Sequence, residues 1–182
     1  MRIISGKYGG RKISPPAQMP NTRPTTDRAK EGLFNILQNS FPIEGSNTLD
    51  LFGGTGAISY ELASRGAVNQ VLIEKDPKQA AFIANTIKQI GIASLKVIQT
   101  DVQKYIQHSF EQFDFIFAGP PYKLPWIDEI PDMVFQHKLL KEGGWFVLEH
   151  TGEHHFDRHP RFSQKRHYGD TIFSIFIFSP VN

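Results

Sequence analysis

The sequence predicts an α/β domain built on a central, largely parallel sheet, and three observations carry that prediction. From Thr48 onward, short apolar runs alternate with stretches of helical period at the spacing of strand–helix–strand units. The first run, Leu49-Asp50-Leu51-Phe52, passes directly into a glycine turn, Gly53-Gly54-Thr55-Gly56. The chain closes on two strand-like runs around Gly169-Asp170, the pattern of an antiparallel hairpin.

Taken in order, Arg2-Ile3-Ile4 and Arg11-Lys12-Ile13 flank a segment holding Gly6, Gly9 and Gly10 and read as two short strands joined by a turn. Proline and polar residues from Pro15 to Pro24 form an irregular connector. Thr25-Thr26-Asp27 caps a helix with an apolar face of Ala29, Leu33, Phe34, Ile36 and Leu37, ending near Asn39 before Pro42. Strands are then expected at 48–52, 70–74, 95–99, 113–117 and 145–149, with helices at 58–65, 77–90, 102–108 and 128–138. The closing hairpin occupies 163–168 and 171–178, giving seven strands, mostly parallel, behind a short N-terminal β-hairpin extension. The chain divides into a basic hairpin and connector, 1–24, and a main domain, 25–182.

With 182 residues, 40% hydrophobic and 21% charged, there is apolar material for one sizeable core. The sequence holds no cysteine, which excludes disulfides, thiolate metal sites and thiol redox chemistry. The N-terminus lacks the apolar segment of a signal peptide, and no run approaches the ~18 apolar residues of a membrane span. These features predict a soluble cytoplasmic protein. A net charge of +2 conceals an asymmetry: Arg2, Lys7, Arg11, Lys12, Arg23, Arg28 and Lys30 against Asp27 give residues 1–30 a charge of +6, leaving −4 on the remainder. Cations gathered in this way fit a polyanionic partner, because they displace counterions from a phosphate backbone. A solvated basic tail accounts for the same charge.

The glycine turn lets the backbone approach a ligand where a Cβ would obstruct it. About 20 residues on, at the end of the next strand, Glu74 can accept the hydroxyl hydrogens of a ribose. Asp101 follows the third strand, where its carboxylate and the Val102 amide can address an adenine. Together with Asp50, Phe52, Gly53, Gly54, Gly56 and Lys75, these residues form the candidate cofactor site at the C-terminal edge of the strands. NAD is the competing cofactor; Asp50 before the loop, the absence of Gly-x-Gly-x-x-Gly spacing and the closing hairpin speak against it.

The second informative stretch is Phe113-Asp114-Phe115-Ile116-Phe117-Ala118-Gly119-Pro120-Pro121-Tyr122. Two prolines remove two N–H donors after a buried strand and free carbonyls to accept hydrogen bonds, while Tyr122 offers a ring on which a base can stack. This segment resembles the Asp/Asn-Pro-Pro-Tyr/Phe motif of methyltransferases that act on exocyclic amines. Nearly the whole chain resembles the RsmD-type family, through Arg2-Ile3-Ile4-Ser5-Gly6, Arg23-Pro24-Thr25-Thr26-Asp27-Arg28, Leu33-Phe34-Asn35, Leu49-Asp50-Leu51-Phe52, Gly54-Thr55-Gly56, Glu74 and Pro120-Pro121-Tyr122. The resemblance implies a class I, Rossmann-like S-adenosylmethionine-dependent methyltransferase that modifies the N2 amine of a guanine in small-subunit ribosomal RNA. Gly119, Pro120, Pro121 and Tyr122 would be its catalytic residues. Arg2, Lys7, Arg11, Lys12, Arg23 and Arg28 would contact RNA, with the 23–27 loop closing over cofactor and base. The partner would be ribosomal RNA or the small subunit, met by a monomer.

One position departs from the family. Where it has Asp or Asn, whose oxygen accepts a hydrogen bond from the target amine, this chain has Gly119. Losing one oriented contact costs on the order of 10²-fold in rate if the geometry otherwise holds. The departure implies a slower enzyme, one that recruits a different acceptor, or a substituted version of an active parent. An unchanged rate on restoring Asp would sink the first and third. Rival classes are a DNA adenine-amine methyltransferase, which usually carries a target-recognition region for which this chain has no spare length, and a non-enzymatic RNA-binding protein. His150, His154, His155 and His159 lack a helical His-Glu-x-x-His pattern and read as loop residues near the substrate mouth, with no metal. Phe173, Phe176 and Phe178 read as packing residues, and Trp126 fits either the pocket or the core.

Overall fold

A computed structural model of the chain describes residues 1–19 and 24–179. Its secondary structure is local chemistry made regular. Thr26 caps α1 (Asp27–Ser40) by accepting a hydrogen bond from the Ala29 amide at 3.2 Å, and Ala29, Leu33, Phe34 and Leu37 form its buried face. After β1 (Asn47–Asp50), α2 (Ala57–Ser64) starts at Gly56, whose φ of +85° a side chain would strain. β2 (Asn69–Glu74) leads to α3 (Pro77–Ile90), where Asp76 accepts from the Gln79 amide at 2.9 Å and Pro77 occupies the first turn. β3 (Leu95–Gln99) is followed by α4 (Val102–His108), capped by Asp101. Then come β4 (Phe113–Ala118), a 3₁₀ turn (Ile127–Glu129), α5 (Ile130–Gln136), β5 (Leu140–His150), β6 (Phe162–Tyr168) and β7 (Thr171–Ile177).

The seven strands run β3-β2-β1-β4-β5-β7-β6. The pairs from β3 to β5 are parallel, and β7 lies antiparallel to both β5 and β6. Chain order reverses between β1 and β4, the topological switch point at which open α/β sheets admit ligands. Alternate residues of each strand feed opposite faces. Leu49, Ile116, Phe146 and Leu148 pack with Ile106, Ile130 and Val134 on one side, while Phe115, Phe117, Val147 and Phe173 pack with Leu33, Phe34 and Leu62 on the other. Phe173 and Phe176 are fully buried in the core, and the partly buried Phe178 packs edge-on against Phe135 at 6.2 Å.

Four expectations change. The N-terminal pair of strands contracts to one antiparallel bridge, Arg2 to Lys12, because Ile3 and Ile13 bury themselves against Tyr60, Leu72 and Ile83 and not in a wider sheet of their own. The helix expected at 128–138 is a 3₁₀ turn followed by α5, since Pro131 lacks the N–H that a continuous helix would use and instead starts a new one. β5 begins at Leu140, five residues early; Leu140 pairs with Phe113 and Trp145 with Phe115, with the intervening residues in a bulge that includes Gly143 at φ +81°. Lys30, counted among the surface cations, is 2% exposed and donates from Nζ to the Arg2 carbonyl at 2.7 Å, which ties the N-terminal segment to α1. No helix among the described residues is long and apolar enough to cross a membrane.

Candidate active site

One cavity of about 560 Å³ opens at the C-terminal ends of β1, β2, β4 and β5. That volume lies within the usual range of small-molecule sites. At one end lie the residues expected to hold a cofactor, and at the other the Gly119-Pro120-Pro121-Tyr122 loop.

Asp50, the last residue of β1, is the most unusual group in the wall. It is 3% exposed, its Oδ2 accepts from Ser59 Oγ at 3.1 Å, and its Oδ1 is buried with no hydrogen-bond partner among the described residues. Burial pushes its carboxyl up to about 8; hydrogen bonds from Ser59 and the Phe52 amide oppose the rise, and the nearby carboxylates of Glu74 and Glu149 add to it. A buried carboxyl oxygen without a partner leaves the site one hydrogen bond short. Glu74 is built differently: Oε2 accepts from the Gly54 amide at 2.8 Å and Oε1 from the Asp76 amide at 2.9 Å, so each oxygen keeps a lone pair for a ligand hydroxyl. Burial raises its pKa as well, opposed by those amide bonds.

Gly53 passes so close to β2 that a Cβ there would stand 2.2 Å from Leu72 Cδ2. Gly54, at φ +57°, turns its amide onto Glu74. Asp101 and Val102 reach the cavity from the start of α4, and Lys75 Nζ stands 3.9 Å from Asp101 Oδ2. Phe52 and Trp126 contribute neighbouring rings with centroids 5.9 Å apart, so Trp126 lines the pocket and packs against the core at once. Gly56 stands between the lining residues Thr55 and Ala57; its positive φ and the Tyr60 ring, 2.4 Å from a built Cβ, require a glycine at the turn on which α2 starts.

In the 119–122 loop the Pro121 carbonyl accepts from the Leu124 amide at 3.0 Å, while the carbonyls of Gly119 and Pro120 accept no hydrogen bond among the described residues. Tyr122 donates from its hydroxyl to Glu149 Oε1 at 3.2 Å, and Thr25 Oγ1 donates to Glu149 Oε2 at 2.5 Å. Glu149 and Thr25 are the site residues that sequence reasoning missed. Glu149 is a carboxylate next to the C-terminal end of the apolar strand β5, a placement like that of Glu74 on β2, and that placement is the signal by which the sequence could reveal it.

The exposed side chains of Arg2, Lys7, Arg11, Lys12 and Arg28 lie on the N-terminal segment and the first turn of α1, and Arg23 falls outside the described residues. The segment meets the cavity rim where Thr55 Oγ1 stands 3.9 Å from Met1 Sδ. Of the histidines, His154, His155 and His159 lie in the loop between β5 and β6, as expected, and His150 does not; none of the four lines the cavity. His150 is a strand residue, 1% exposed, with Nδ1 at 2.7 Å from the Thr151 carbonyl and Nε2 at 2.7 Å from Ser174 Oγ. His154 pairs with Asp128 and His159 with Asp132. Among the described residues no group of three or more His, Asp or Glu is placed to hold a metal.

This sheet order, with its closing antiparallel strand and its cavity over the switch point, is that of the class I S-adenosylmethionine-dependent methyltransferases. The solved structure of the hypothetical protein TTHA0928 of Thermus thermophilus superposes with a TM-score of 0.85 at 27% identity, covering 97% of this chain and 98% of that one. The family model described as "Conserved hypothetical protein 95" matches residues 1–177, and the chain belongs to that family, the RsmD type that its motifs resemble. Ribosomal RNA small subunit methyltransferase D of Escherichia coli K12 is 30% identical over 149 residues, 82% of this chain and 71% of its own length. The protein of the same name from Buchnera aphidicola subsp. Baizongia pistaciae is 31% identical over 149 residues, 82% and 75% respectively.

Proposed function

We propose that this chain transfers a methyl group from S-adenosylmethionine to the exocyclic N2 amine of a guanine in small-subunit ribosomal RNA. The observation that carries the reading is the shared cavity lined by Asp50 and Glu74 from β1 and β2 and by the Gly119–Tyr122 loop after β4. The relatives named as ribosomal RNA small subunit methyltransferases supply the substrate class.

S-adenosylmethionine supplies a methyl group on a positively charged sulfur. Asp50 holds its ammonium group, Glu74 its ribose hydroxyls, and Asp101 with the Val102 amide its adenine, while Phe52, Gly53, Gly54 and Lys75 shape the cradle. Gly119, Pro120 and Pro121 present backbone carbonyls to the target amine, and Tyr122 stacks on the base. A paired guanine cannot present N2 to such a pocket, so the nucleotide is taken unpaired or flipped. Residues 1–24 act as an RNA-contacting extension of the methyltransferase domain 25–182, with Arg2, Lys7, Arg11, Lys12, Arg23 and Arg28 on phosphates. The protein works as a cytoplasmic monomer on ribosomal RNA or the small subunit.

The test is transfer of labelled methyl to small subunits lacking native modification, followed by nucleoside analysis. Label in N2-methylguanosine is the expected result; label in an adenine amine moves the specificity, and no label on any RNA overturns the reading.

A further inference from the structure

Position 119 has no side chain, yet the space a side chain would enter already holds a carboxylate. A Cβ built on Gly119 would stand 3.4 Å from Glu149 Oε2 and 3.0 Å from Phe117 Cε1. The reason is register: β4 and β5 are parallel neighbours with Ala118 opposite Leu148, so the next residues on, Gly119 and Glu149, also fall side by side at the strand ends. Glu149 is 4% exposed but lines the cavity, and it is gripped from two sides by the Thr25 and Tyr122 hydroxyls.

We propose that Glu149 is the catalytic carboxylate of this chain, accepting an N–H of the target amine from β5 where no side chain on β4 can. The inference rests on the methyl-transfer reading above. An exocyclic base amine is a poor nucleophile because its lone pair is delocalised into the ring; an acceptor on one N–H rotates that pair toward the methyl group. A carboxylate offers about four acceptor positions, so it can hold structural hydroxyls and a substrate amine together. As the amine attacks, its lone pair forms the N–C bond and the C–S bond breaks with its electron pair passing to sulfur. The proton the nitrogen must lose goes to Glu149 and on to solvent, leaving the methylated base and a neutral thioether.

The geometry makes positions 119 and 149 exchangeable, and that is the test. Single-turnover methyl transfer to undermethylated small subunits is compared for the unaltered chain, Glu149→Ala, Glu149→Gln, Gly119→Asp and Gly119→Asp/Glu149→Ala, with S-adenosylmethionine affinity measured by calorimetry. Glu149→Ala is expected to lose on the order of 10²-fold in kcat with KM for RNA and cofactor affinity within about threefold. The double variant should recover at least ~10-fold of that loss, because the carboxylate introduced by Gly119→Asp enters the vacated space. Gly119→Asp alone gains nothing, since it crowds two carboxylates together. Glu149→Gln keeps the shape and an acceptor oxygen but not the proton acceptor, so its kcat falls and its rate loses the pH dependence set by a carboxylate. Unchanged kcat in both Glu149 variants, a double variant no faster than Glu149→Ala, or a loss confined to cofactor affinity overturns the proposal. An unaltered chain inactive on every RNA overturns the methyl-transfer reading itself.

Discussion

Asp50 ties the folded state to its ligand through one proton. With its carboxyl pushed up to about 8 by burial, most molecules carry the proton at pH 7, and ionising the group to receive an ammonium costs on the order of 1 kcal/mol. The folded chain therefore binds a proton that the unfolded chain lacks between about pH 4 and pH 8. The stability this protonation contributes is fullest below about pH 4 and is lost as pH rises toward 8. A bound cation reverses the preference: it favours the anion and drives the proton off. Calorimetric titration with S-adenosylmethionine at pH 7, in two buffers of different ionisation enthalpy, should show release of most of a proton, and affinity should rise several-fold from pH 6 to pH 7. Asp50→Asn should release none. It should bind on the order of 10-fold or more weaker, having lost a charge-assisted hydrogen bond. The free variant should melt no lower than the parent at about pH 8, because a neutral amide replaces a carboxyl that burial penalises once ionised. Equal affinity at pH 6 and pH 7 with no proton release would refute the assignment of Asp50 to the ammonium.

Two further outcomes test the N-terminal segment. Arg11→Ala with Lys12→Ala removes two exposed cations, so affinity for RNA should fall and the slope of log K against log salt should flatten by roughly 0.7–0.9 per charge, with the melting temperature unchanged. Glu61 is fully buried and accepts from the Ile4 amide at 2.8 Å, the Ser5 amide at 3.1 Å and Arg65 Nε at 2.9 Å. Glu61→Ala strands those donors and should cost about 3–5 kcal/mol in urea unfolding while exposing residues 1–13 to proteolysis; a loss under about 1 kcal/mol would mean that the segment is held by Ile3 and Ile13 alone.

The sequence by itself determined what depends on near neighbours along the chain. Helical and strand periods, the caps at Thr26, Asp76 and Asp101, and the glycine turn after β1 are encoded within a few residues, and the structure reproduces them. The fold class followed, because strand–helix alternation with a closing hairpin leaves few topologies. The tertiary structure decided what depends on neighbours distant in sequence. Ile3 and Ile13 look like strand residues, but α2 and α3 offer them a burial that no local pattern announces. His150 looks like the start of a loop, and Ser174 of β7 makes it part of the sheet interior. Lys30 belongs to a basic run in sequence and to the core in space. Glu149 stands 30 positions from Gly119 and 124 from Thr25 in the chain; the side-by-side placement of β4 and β5 brings it to Gly119, and the packing of the segment before α1 over the strand ends brings it to Thr25. The proton on Asp50 is the same kind of property, since desolvation is the work of every element that packs around β1 and is written in none of them separately.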